Sequence, residues 1–137
     1  MSLRDELATV LAHDPRYSIH AYAFVFEALE YTKNLKKRAL ARTRSRRRTA
    51  SSRHVTGREL CEGVRLMALS HYGMMAIAVL NQWGIRKTSD LGEIVFNLIA
   101  SGDLEKSPSD SRADFDHVYD FESALRRDFV VSLDDVA

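Results

Sequence analysis

Residues 56–85 read TGRELCEGVRLMALSHYGMMAIAVLNQWGI, and this stretch decides the fold. Thr56 followed three residues later by Glu59 is a capping box, in which a hydroxyl and a carboxylate satisfy the free backbone N–H groups of a helix start. Leu60, Val64, Met67, Ala68 and His71 then recur at helical spacing, so this helix presents one face to a core. Gly73 breaks it, and residues 74–83 form the next helix. Gly84 stops that one, with Ile85 placed for the apolar contact of a Schellman-type end.

The same signals recur on both sides. Thr88 or Ser89 starts a further helix, Asp90 and Glu93 suit its positive end, and Leu91, Ile94, Val95, Leu98 and Ile99 make its buried stripe before Gly102 ends it. Upstream, Ser18 caps a helix whose stripe is Ile19, Tyr22, Ala23, Phe26 and Leu29, widened by Phe24 and Val25. Leu3, Leu7, Val10 and Leu11 mark another helix, ended by Asp14-Pro15. Downstream, residues 107–111 read as a turn or a short helix. Phe115, Tyr119 and Phe121 are aromatic anchors, and a helix is expected around 121–127. Phe129-Val130-Val131 fits a short strand equally well. The expected core contains Phe26, Leu29, Val64, Leu80, Trp83, Ile94, Val95 and Leu98.

These elements predict a mainly α fold, a compact bundle of about five to six helices forming one domain over residues 1–137. Residues 76–104 also have the rhythm of a helix-turn-helix unit, and 103–106 with 115–121 supply a short C-terminal β hairpin of the winged kind. Acids at Asp90 and Glu93 of the would-be reading helix repel phosphate, so the unit reads as packing and not as a base-reading device.

With 137 residues, 45% apolar and 28% charged, the composition is that of one soluble globular domain. One cysteine excludes an intramolecular disulfide, and with it the stapled secreted mini-domains. The longest run without a polar side chain, 73–80, is far short of the roughly 18 residues a membrane span needs. Asp5 and Glu6 stand where a signal peptide carries positive charge, so a cytoplasmic setting is expected.

The net charge of +1 hides a segregation. Lys33, Lys36, Lys37, Arg38, Arg42, Arg44, Arg46, Arg47, Arg48 and Arg53 fall in one stretch without an acid. The rest of the chain keeps ten bases against nineteen acids, a net of −9, and residues 103–137 alone carry −6. Like charges repel and cannot pack in a core, which predicts an exposed basic loop at about 38–53.

Several runs resemble a known group. His54-Val55-Thr56-Gly57-Arg58-Glu59-Leu60, Trp83-Gly84-Ile85, Asp90-Leu91-Gly92-Glu93-Ile94-Val95-Phe96-Asn97-Leu98, Asp110-Ser111-Arg112-Ala113-Asp114-Phe115 and Tyr119-Asp120-Phe121 resemble an uncharacterised family of small proteins associated with Planctomycetes and Verrucomicrobia. The likeness spans about residues 17–31 and 54–122 and leaves out the arginine-rich segment. It implies a bacterial, cytoplasmic protein and brings no activity, cofactor or catalytic residue.

The residues themselves offer little catalytic chemistry. Five histidines, at 13, 20, 54, 71 and 117, form no His-x-x-x-His pair, and one Cys gives no zinc framework. Cys61 and His71 lie about 15 Å apart along one helix and on different sides of it, so they cannot pair. Cys61 reads as a half-buried structural thiol. Asp110, Asp114, Asp116, Asp120 and Glu122 lack the glycine and spacing of a calcium loop and read as a solvated acidic face. No glycine-rich phosphate loop is present.

The basic segment is the one feature that solvation alone explains poorly, because solvated faces mix their signs. Arginine matches phosphate bidentately, and clustered cations release counterions from nucleic acid. The leading expectation is a non-enzymatic accessory protein that holds RNA or DNA without sequence preference through Lys36, Lys37, Arg38, Arg42, Arg44, Arg46, Arg47 and Arg48. No aromatic falls in residues 36–53, so base stacking is not supplied there. An anionic membrane surface or an acidic protein surface, including another copy, meets the same charges. The alternative is a protein-interaction adaptor working through the acidic C-terminal face, and an enzyme with a site assembled from distant residues ranks third.

Overall fold

A computed structural model describes residues 14–42, 54–106 and 110–127. Among these the chain is mainly helical and has no strand. Four α-helices follow in order: α1 Ile19–Arg42, α2 Gly57–Tyr72, α3 Ala76–Gln82 and α4 Thr88–Ala100. A 3-10 turn, Gly73–Met75, joins α2 to α3, a second forms Arg112–Phe115, and one π-helical turn covers Glu122–Arg127. The expected helix at Leu3–Leu11 and the strand-like Phe129-Val130-Val131 lie outside the described residues.

Caps set most of the boundaries. Thr56 Oγ1 accepts from the Glu59 N–H at 3.2 Å while the Glu59 carboxylate accepts from the Thr56 N–H at 2.9 Å, closing the capping box of α2. Ser18 Oγ accepts from Ala21 N at the start of α1. After α3, Ile85 N donates to Leu80 O at 2.9 Å and Gly84 N to Asn81 O at 3.0 Å, the paired bonds of a Schellman end. Gly84 is required there twice over: its φ is +99°, and a Cβ would lie 2.3 Å from the Arg16 carbonyl oxygen. The chain closes α4 with the same pair, Gly102 N donating to Ile99 O at 3.1 Å and Asp103 N to Leu98 O at 2.9 Å.

The core sits between α1 and α2, with α3 and α4 against them. Tyr22, Val25, Leu60, Val64, Leu80, Leu91, Ile94 and Leu98 are buried, as are Ile85, Phe115 and Leu125. Four of the eight expected core residues, Phe26, Leu29, Trp83 and Val95, are only half-buried. The buried residues of α1 are Ala21, Tyr22, Phe24, Val25, Ala28 and Thr32, so the face keeps Tyr22 of the expected stripe and turns from Phe26 and Leu29. Small residues win because α2 lies close: a Cβ on Gly63 would sit 1.8 Å from Thr32 Oγ1. The 26 residues Gly57–Gln82 are, by length and composition, long and apolar enough to cross a membrane. In this fold their Leu60, Val64, Met67, Ile77 and Leu80 are core residues.

Among the described residues the bundle has four α-helices, and the first of the expected five to six lies outside them. Two expectations are corrected. The β hairpin is absent among the described residues. Residues 103–106 continue out of the Schellman end of α4, and 112–115 wind into a 3-10 turn capped by Ser111 Oγ, which accepts from Ala113 N. That turn drives Phe115 against Gly92, where a Cβ would lie 2.9 Å from the Phe115 side chain. Lastly, the exposed loop does not begin near 38, because α1 runs to Arg42. Lys, Arg, Leu and Ala are good helix formers, and cations suit the negative C-terminal end of a helix.

Candidate functional site

Lys36, Lys37, Arg38 and Arg42 all lie on the last turns of α1, and they are not equivalent. The Lys36 ammonium donates to His54 O at 2.6 Å and to Glu59 Oε1 at 2.9 Å, so it ties α1 to the start of α2. Burial raises the Glu59 pKa, but the Thr56 N–H and Lys36 outweigh it and hold the carboxyl below its ordinary value. Lys36 therefore fastens α1 to the start of α2. Lys37, Arg38 and Arg42 are exposed and make no ion pair among the described residues. Arg44, Arg46, Arg47 and Arg48 lie outside the described residues.

Several other cations are neutralised where they stand. Arg16 meets Asp14 at 2.7 Å and Glu93 at 3.4 Å, Arg112 meets Glu93 at 2.5 Å, and Arg65 meets Glu62. Lys33 reaches Glu30 at 3.5 Å. The hydrogen-bonded Arg16 holds the Asp14 carboxyl well below the usual range.

The start of α4 is already filled. The Asp90 carboxylate accepts from Arg86 N, Lys87 N and the buried Tyr17 hydroxyl, the last at 2.7 Å. The chain's own carboxylate occupies the place where a phosphate would sit at a helix N-terminus.

The acidic residues of 110–122 form no single cluster. Asp110 pairs with His54 at 2.8 Å, Asp114 accepts from Ser111 N, and Asp120 accepts from Ser123 N. Arg112 pairs with Glu93 of α4 and not with the acids beside it in sequence. Among the described residues no group of three or more His, Cys, Asp or Glu is arranged to hold a metal ion. Cys61, expected half-buried, is fully buried, and burial pushes its thiol up to about 12. A buried, protonated thiol is a poor nucleophile at neutral pH. A thiol reagent is expected to label Cys61 only in denaturant, and prompt labelling of the native chain would show that α2 is not packed as described.

Sequence reasoning missed a cleft of about 650 Å³ between α1 and α4. Val25, Leu29, Leu60, Val95, Ile99 and Phe115 are among its apolar lining, with Phe26 and Phe96 beside them. Its polar lining is Glu30, Lys33, His54, Thr56, Asp103, Glu105 and Asp110. Its only advance signal was apolar residues in excess of what the core absorbs: Phe26, Leu29 and Val95 were all expected inside, and all three line it.

Compared with family models, curated proteins and solved structures, the chain matches none.

Proposed function

We propose that the protein is a non-enzymatic cytoplasmic accessory factor that binds RNA or DNA without sequence preference. The observation that carries this reading is the exposed end of α1. Lys37, Arg38 and Arg42 stand there without ion pairs among the described residues, at the head of a sequence run that continues through Arg44, Arg46, Arg47 and Arg48. Cations left without local carboxylates are available to neutralise phosphates, and the counterions this releases from the polyanion favour binding. The α3–turn–α4 pair, helix-turn-helix in rhythm, serves in this reading as a packing unit, since Asp90 fills the start of α4.

If about five cations neutralise phosphates, the log–log slope of affinity against salt is about −3.5 on single strands and about −4.5 on duplex. Fluorescence anisotropy with labelled oligonucleotides between about 50 and 200 mM salt measures it. Replacing Lys37, Arg38 and Arg42 with serine is expected to shrink the single-strand slope by about 2. Lys36→Met is expected to lower stability and leave the slope nearly unchanged. The absence of salt-sensitive binding would overturn the reading, and the protein-interaction adaptor would then stand in its place.

A further inference from the structure

We propose that the cleft between α1 and α4 is a binding site for a small amphiphilic cation, a hydrocarbon or aryl body carrying one protonated amine. The proposal stands apart from the nucleic-acid reading and uses different residues.

The cleft's volume of about 650 Å³ falls in the range of small-molecule sites. Its apolar wall is incompletely covered: Phe26, Leu29, Val95, Phe96 and Ile99 are each only half-buried, although side chains of this kind favour burial. An apolar ligand body would remove that surface from water.

Charge chooses the rest of the ligand. The two cationic candidates on the lining are committed, Lys33 to Glu30 and His54 to Asp110. That leaves Asp103 and Glu105, which flank Leu104 just beyond α4, without a cation among the described residues. Asp103 Oδ2 accepts from the Ser101 hydroxyl, but Oδ1 is buried and has no hydrogen-bond partner among the described residues. A buried carboxylate oxygen without a donor is costly, and an ammonium group supplies both donors and the opposite charge. A carboxylate ligand meets repulsion from the same wall, and a neutral alcohol leaves the charge uncompensated.

The test uses the full chain and three probes: 4-phenylbutylamine, 4-phenylbutyrate and 4-phenylbutanol. Amide chemical-shift titration gives both affinity and location. The amine is expected to bind at least tenfold tighter than the carboxylate, with the largest shifts at Leu29, Phe96 and Ile99. Asp103→Asn combined with Glu105→Gln should bring amine and carboxylate within about threefold of each other, while Phe96→Ala should weaken both. Should the partly buried Asp103 not tolerate exchange, Glu105→Gln alone, at an exposed position, should weaken the amine about threefold. Equal or tighter binding of the carboxylate or the alcohol, shifts that map elsewhere, or an amine affinity unchanged in Glu105→Gln would each overturn the proposal.

Discussion

Gly63→Ala is expected to lower the unfolding free energy by about 3 kcal/mol, read as an earlier midpoint in urea. The added Cβ would lie 1.8 Å from Thr32 Oγ1 and 3.1 Å from Thr32 Cβ. Thr32 cannot easily yield, because it is β-branched and its hydroxyl donates to Ala28 O at 2.6 Å within α1. The helices must therefore separate at the point where their small residues let them touch. Thr32→Ala alone should cost about 1 kcal/mol, for a buried hydrogen bond and a small void. The double substitution should recover more than half of the Gly63→Ala loss, since the clashing oxygen is gone. A harmless Gly63→Ala, or a double variant as weak as the sum of the singles, would show that α1 and α2 do not cross there.

Thr88→Val should cost about 3 kcal/mol although the two side chains are nearly the same shape. The Thr88 hydroxyl is buried, donates to Phe115 O at 2.6 Å and accepts from Val118 N at 3.2 Å. Valine strands both backbone groups, each at about 1–3 kcal/mol. Thr88→Ser keeps the hydroxyl and should lose only about 1 kcal/mol for the missing methyl. Hydrogen exchange at Val118 should accelerate in the valine variant and not in the serine one. Equal stability of the two variants would remove Thr88 as the link between α4 and the segment that follows Phe115.

Local rules were the legible part of the fold. The Thr56–Glu59 box, the Gly84-Ile85 stop and the end at Gly102 depend on residues within a few positions of one another, and each stands where the pattern placed it. The rotation of α1 was illegible for the opposite reason. Size ranks Phe26 and Leu29 above Ala21 and Ala28, yet the choice of face belongs to α2, whose Gly63 admits a close neighbour only over small residues. That error concealed the cleft, because the displaced side chains are the ones that line it. The 3-10 turn at Arg112–Phe115 starts at a local cap, Ser111, but its far end is tied to Thr88, some 27 positions earlier, which no local pattern shows. Within the basic run, composition could not separate Lys36 from Lys37. One residue turns a helix by about 100°, which takes one lysine to the start of α2 and the other to water.

The Lys36 fastening has a mechanical consequence. Among the described residues it is the last hydrogen bond from α1 to another element, and residues 37–42 run about 9 Å beyond it. Arg38 and Arg42 are four apart, on the same side of that stretch, and repel one another. Fixed dipoles favour the cations there, mutual repulsion opposes them, and the balance shifts with the ions nearby. Counter-charge is expected to steady this end of the helix and its withdrawal to fray it back toward Lys36. The length of ordered helix is then set by the ions around it.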